Sequence, residues 1–184
     1  MELAAHSGCN GVAAGRTTRI LRRSRGFTVI ELMIVVVILA ILGTVAAPSL
    51  LSMLQTSKIR AAASDFYAAL LKARSESIKR RVNVTVAPVG ATWSTGWTVK
   101  YGTTTLIAHD ALASDVAIQI GVPASSAVTS IVYGSNGRIT TTAPNLIFYS
   151  TTYSTIQARC VSADPAGLPR VKTDTNSDAT DGCN

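Results

Sequence analysis

At 184 residues the chain has room for one ordinary domain and a short appendage, since a single core takes about 100 to 150 residues, and that leaves no space for a second independent one. Its composition, 47% hydrophobic and 15% charged, is uneven, with much of the apolar content packed into one N-terminal segment. The formal charge of +7 is likewise local: Arg16, Arg19, Arg22, Arg23 and Arg25 face only Glu2 in the first 26 residues, while the rest holds twelve basic and nine acidic residues, so the high pI mostly describes the N-terminal segment.

From Phe27 to Ala47 the only polar side chains are Thr28, Glu31 and Thr44. A helix of that length is about 31 Å long at about 1.5 Å per residue, which matches the roughly 30 Å hydrocarbon layer of a bilayer. Five arginines precede the run and no arginine follows until Arg60, an asymmetry that puts the N-terminus in the cytoplasm and the bulk of the chain outside. A secretory signal peptide is the plain alternative, but it asks for an apolar stretch of about 7 to 15 residues and a small-residue cleavage site. Here the run is longer, and Ala46-Ala47 leads into Pro48 and further helix-forming sequence.

Glu31 sits near the start of this run, where a carboxylate costs at least about 2.5 to 3.5 kcal/mol if it reaches the membrane centre. Two local readings relieve that cost. Thr28 and Glu31 have the T-x-x-E spacing of a capping box, and a residue so close to the segment's end can also reach interfacial water.

The string Arg25-Gly26-Phe27-Thr28-Val29-Ile30-Glu31-Leu32, with an unbroken apolar run behind it and Pro48 near its end, resembles the type III signal of type IV pilins and pseudopilins. The resemblance implies that a prepilin peptidase cuts between Gly26 and Phe27, methylates the new N-terminus and leaves the apolar helix in place. It also supplies a third reading of Glu31, as the acid that neutralises the cationic amine of a neighbouring subunit within a filament; two opposite charges in low dielectric attract strongly where each alone is costly. Gly43 and Pro48 add an expected kink or local melting, because an interior proline removes a hydrogen bond and clashes with the preceding turn.

Residues 52–81 contain neither Gly nor Pro, and Ile59, Ala62, Phe66, Ala69, Leu70, Ala73 and Ser77 recur at helical spacing, so one long helix is predicted from Phe27 to about Arg81 with a single core-facing stripe. Lys58, Arg60, Lys72, Arg74, Lys79, Arg80 and Arg81 read as a solvated basic face, with anionic headgroups or DNA as the alternatives. The segment AAASDFYAALLKARSESIKRRVNVTV, followed by Trp93 and Trp97, resembles a narrower branch, the GspH/FimT family of minor pilins and minor pseudopilins.

Beyond Arg81 the pattern changes to short β-branched runs: VNVTV, WTVKY, TLIAH, VAIQI, SIVYG, RITTT, NLIFYS, STIQARCV and PRVKT, separated by turn signals of which Asn136-Gly137 is the clearest. The expected fold class is α+β, pilin-like, with one long N-terminal helix packed on antiparallel β-sheets. The expected organisation is a cleaved leader 1–26, a transmembrane half-helix 27–51, an amphipathic half-helix 52–81 and a β-rich periplasmic domain 82–184.

Cys9 would leave with the leader, and the oxidising periplasm then makes a Cys160–Cys183 disulfide the expected pairing, contributing roughly 3 kcal/mol and anchoring a polar tail; intermolecular bridging and free thiols are the other outcomes. No catalytic residue is assigned. His6 lies in the leader, and His109 lacks the companions that a triad, a zinc site or a general base needs. Asp174, Asn176, Asp178 and Asp181 are spaced like a calcium loop, but the glycine and closing glutamate are missing, so the tail reads as solvating and neither metal nor cofactor is expected.

ARCVSADPAGLPRVK resembles the C-terminal hairpin of the FimT branch, where G-R-x-R contacts DNA; here Gly167-Leu168-Pro169-Arg170 keeps the glycine and second arginine only. Arg159, Arg170 and Lys172 are the candidate phosphate contacts. The reading is an inner-membrane, single-pass minor type IV pilin, partnered by the prepilin peptidase and by other pilins or pseudopilins through the N-terminal helix, with a minor pseudopilin of type II secretion and a DNA-binding uptake subunit as alternatives.

Overall fold

The computed structural model describes residues 26–121 and 129–174, without the side chains of residues 45–48. Thr28 starts the helix: its hydroxyl accepts the N–H of Glu31 at 3.2 Å and its carbonyl accepts that of Leu32 at 3.2 Å, so the first helical residue is Val29 rather than Phe27. The helix α1, Val29–Arg80, ends where Arg81 turns into the left-handed region at φ 55°. Lys79 and Arg80 in the last turn complement the helix dipole. No single straight helix among the described residues is long and apolar enough to cross a membrane; the pair Val29–Thr44 and Ser49–Arg80, separated by the four residues that include Pro48, meets that requirement together.

The chain forms two units, residues 1–41 and 42–184. In the first, every apolar side chain from Phe27 to Ile41 that belongs to a large residue is exposed, from 43% at Val35 to 77% at Val29. The stem is therefore greasy on all sides and has no core of its own.

In the second unit the stripe at Ile59, Ala62, Phe66, Ala69, Leu70, Ala73 and Ser77 is fully buried, as its spacing requires. Two four-stranded antiparallel sheets receive it. The first has the order β3-β2-β1-β5, built from β1 (Val84–Pro88), β2 (Trp97–Tyr101), β3 (Thr104–His109) and β5 (Ile131–Tyr133); the second has the order β4-β6-β7-β8, from β4 (Val116–Ile120), β6 (Asn145–Ser150), β7 (Arg159–Ala163) and β8 (Pro169–Thr173). Phe66 fastens the helix to both. Its ring meets Trp93 and Trp97 edge-on at 5.4 and 5.2 Å, and lies tilted 5.8 Å from Phe148 of β6. The small residues Ala62, Ala63, Ala69 and Ala73 let the backbone approach the strands closely.

The sequence reading errs in two strands. RITTT is not a strand beyond a single bridge between Tyr133 and Ile139: Thr141 Oγ1 accepts the N–H of Val132, and Thr140 donates to the Val132 carbonyl through both its N–H and its hydroxyl. Side-chain hydroxyls thus replace the ladder. STIQARCV enters the sheet only at Arg159, because a turn closed by Ile156 N–H on the Tyr153 carbonyl occupies its first half.

Candidate functional site

Two regions bear on function: the stem's first turn and the β7–β8 hairpin. At the stem, the Thr28 cap holds the Glu31 backbone, while the Glu31 carboxylate itself stays exposed. Gly26 and Phe27 precede the helix, and Phe27 is 76% exposed. The expected capping interaction is therefore made by Thr28 toward the backbone, and the acid is left available to a partner outside the chain. Gly43 has open space around it, and nothing is described at the Pro48 side chain.

In the hairpin, strand register decides which cations share a surface. Cys160 pairs with Lys172 and Ser162 with Arg170, whereas Arg159 pairs with Thr173 and Val161 with Val171. Because successive side chains alternate faces, Arg170 and Lys172 lie on one side of the sheet and Arg159 on the other. Val161 belongs to the main core, so Arg159 is on the helix side, where its guanidinium donates to the Thr173 hydroxyl. There it lines a cavity of about 520 Å³ with Arg60, Ser64 and Tyr67 of α1. The three cations grouped from sequence are not one patch. Arg170 is exposed, with a carboxylate oxygen of Asp164 3.8 Å from its Nη2.

Gly167 also has a role that owes nothing to nucleic acid. Its φ is +85°, and a Cβ there would stand 2.1 Å from the carbonyl oxygen of Gly137, itself at φ +75° in the Asn-Gly turn. Arg74 Nε donates to that same carbonyl at 3.3 Å, and Ile139 N–H to the Pro165 carbonyl at 3.3 Å. The hairpin's glycine is thus a backbone contact that ties the two sheets to the helix.

Three of the seven cations on the basic helix face, Lys58, Lys72 and Arg80, form ion pairs while their side chains stay 39–50% exposed. Lys58 pairs with Asp115 at 2.6 Å, and Glu76 takes Lys72 at 3.1 Å and Arg80 at 2.5 Å, while Arg80 also lies 4.4 Å over the Tyr101 ring. These bonds hold the Glu76 carboxyl down at about 2, Arg80 contributing most and Lys72 next. Arg80 is raised in turn by Glu76. Burial raises the Tyr133 hydroxyl to about 12.

His109 stacks on Trp97 at 3.9 Å, donates from Nδ1 to the Asp110 carbonyl at 2.7 Å, and faces Asp65 of α1 with Nε2 at 3.5 Å. Sequence reasoning missed this clasp of β3 to the helix, which no motif signals. It missed Gln55 as well, buried at the head of the apolar stripe and donating to the Asp115 carbonyl at 2.7 Å and to Ser150 Oγ at 3.1 Å. Among the described residues no three His, Cys, Asp or Glu side chains are grouped to hold a metal ion. Cys160 is disulfide-bonded; Cys183 and the acidic tail from Asn176 lie outside the described residues, as does the leader.

Residues 62–167, more than half of the chain, match the family model for the type II transport protein GspH. The chain belongs to the GspH family. Residues 21–47 match the prokaryotic N-terminal methylation motif, which identifies the family member's stem as prepilin-like and membrane-anchored. The fold is similar to that of the type IV minor pilin FimU of Pseudomonas aeruginosa, at 21% identity and a TM-score of 0.56 over 70% of this chain and 96% of that one. It is also similar to the minor pseudopilin EpsH of the type II secretion system of Vibrio cholerae, at 15% identity and a TM-score of 0.50 over 63% of this chain and 97% of that one. No curated protein matches it. The chain is thus a pilin-like protein of the GspH/FimT kind, α+β, with its N-terminal helix packed on two antiparallel sheets.

Proposed function

We propose that this chain is a minor type IV pilin, made as a prepilin, cut between Gly26 and Phe27, methylated on Phe27 and built into a pilus or its initiating tip. The observation that carries the reading is the stem: a methylation-motif match over residues 21–47, a Thr28-capped helix start with an exposed Glu31 carboxylate, and apolar side chains uncovered on every side. Such a surface needs lipid or other subunits around it, and an acid placed there needs a cation. The new ammonium of Phe27 on an adjoining subunit is the cation that processing supplies. The role is structural, with no catalytic step. Before assembly the protein resides in the inner membrane as a single pass, with residues 82–184 in the periplasm and Cys160 bonded to Cys183.

A minor pseudopilin of a type II secretion system is the second reading, favoured by the description of the matching family and by the likeness to EpsH. Fractionation separates the two. A tagged chain that appears in pili sheared from cells, and disappears from them in a strain lacking the prepilin peptidase, supports the pilin; absence from sheared pili together with a secretion defect on deletion supports the pseudopilin. DNA binding now rests on Arg170 and Lys172 alone, since Arg159 faces the other way. If these two residues hold duplex DNA, reversing both charges abolishes salt-sensitive binding by the full chain in detergent; unchanged binding would remove them as the contacts.

A further inference from the structure

The cavity of about 520 Å³ between α1 and the β7–β8 hairpin lies wholly within the folded unit, and its lining contains two guanidinium groups and, among the described residues, no carboxylate. Arg60, Ser64 and Tyr67 stand at i, i+4 and i+7 on α1 and so form one row along the helix. Arg159 of β7 closes the other side, and Ala63 and Val171 supply the apolar part of the wall. The cations of α1 that meet acids are Lys58, Lys72 and Arg80, whereas Arg60 is exposed and has no ion pair among the described residues. Arg159 donates from Nη1 to the Thr173 hydroxyl and meets no acid there either. The Ser64 and Tyr67 hydroxyls have no hydrogen-bond partner among the described residues. Two like charges that share a cavity repel one another, and an anion between them turns that repulsion into attraction.

The donor set indicates which anion fits. A carboxylate presents two oxygens, which a single arginine fork already satisfies. Two forks and two hydroxyls exceed that need and match a phosphate monoester, whose charge of about −1.5 to −2 is spread over three acceptor oxygens. The space is also larger than a bare phosphate requires, within the range of about 300 to 1,000 Å³ for sites that hold organic ligands. The Tyr67 ring and Val171 offer the ester's organic group a surface to lie on.

We propose that this cavity binds an organic phosphate monoester. Arg60 and Arg159 grip the phosphate from α1 and β7, the Ser64 and Tyr67 hydroxyls donate to its remaining oxygen, and the organic group packs on Tyr67 and Val171. Because the two arginines belong to different elements, the ligand fastens the β7–β8 hairpin to the helix. All of these residues belong to the folded unit, so the site stands apart from anything assigned to the stem.

Isothermal titration of the full chain in a neutral detergent tests this, with glucose 1-phosphate, glucose and inorganic phosphate as probes. The ester should bind with a Kd of about 1 mM or below, inorganic phosphate about three-fold or more weaker, and glucose not at all. Arg60→Gln and Arg159→Gln should each weaken the ester about ten-fold, the loss expected when charge-assisted hydrogen bonds are removed. Arg159→Lys, which keeps the charge without the fork, should fall between parent and Arg159→Gln. Arg138→Gln, exposed on the Asn-Gly turn, should change nothing. The Arg159 variants also lose the bond to Thr173, so an unchanged thermal unfolding curve checks their fold; Arg60→Gln removes a charge that holds no such bond. Phosphatidic acid in the same micelles presents the monoester on a lipid, and arginine-dependent binding of it in place of glucose 1-phosphate identifies the source as a membrane lipid rather than a soluble ester. No binding of either up to about 10 mM, equal affinity for ester and inorganic phosphate, or affinity indifferent to both arginines overturns the proposal. Arginine-dependent binding of duplex DNA in place of both esters overturns it too, since DNA offers diesters.

Discussion

Glu31 and Glu76 are carboxylates on one helix held in opposite ways. Glu76 is buried against the folded unit and clamped by Arg80 and Lys72, whereas Glu31 is exposed and, among the described residues, paired with nothing. Because the Glu76 pKa falls from 4.5 to about 2 on folding, its contribution to stability is complete above the unfolded value and disappears as pH falls through the folded one. The melting temperature of Glu76→Gln should therefore lie below that of the parent by a constant margin above pH 5, and the margin should close between pH 4.5 and 2; a margin independent of pH would show that the clamp is not electrostatic. Glu31→Val should behave differently, leaving stability and processing unchanged while lowering the amount of chain in sheared filaments several-fold. Normal incorporation of this variant would show that the acid has no part in assembly.

Between the helix and the sheets, two joints do most of the positioning. Phe66 fills the space between Trp97 of one sheet and Phe148 of the other, so Phe66→Ala should cost about 3 to 5 kcal/mol in denaturant unfolding of the full chain, the range for emptying an aromatic site in a close-packed core. Gly167 closes against the Gly137 carbonyl at positive φ, and Gly167→Ala should lose about 2 kcal/mol or more through combined backbone strain and collision. A neutral result there would mean that the two turns separate without cost. Helical periodicity made the buried stripe legible from Ile59 to Ser77, and β-branched runs located most strands. Register was not legible. Nothing in ARCVSADPAGLPRVK reveals that Arg159 opposes Thr173 while Arg170 opposes Ser162, so the division of the three cations between two faces appears only once the strands are paired. RITTT misled for a related reason: threonine favours strands by its branching, and its hydroxyl can also bond the neighbouring backbone directly.

Taken as one chain, the protein joins a stem that cannot be stable in water to a domain with a complete core. The stem was the most legible part, because length, polarity and a single acid at a fixed distance from Gly26 are properties of sequence alone. The clasp of His109 and the Gln55 bridge were invisible there, since each depends on residues brought together from 44 to 95 positions apart. Everything assigned to the stem requires that its first residue be a freshly exposed, cationic Phe27. Mass spectrometry of the N-terminal peptide from protein purified out of its native membrane decides this: the expected peptide begins at Phe27 and carries one added methyl group, and it is replaced by a leader-bearing form when the prepilin peptidase is absent. A mature chain that retains residues before 27, or that starts beyond the apolar segment, would contradict the proposed assembly.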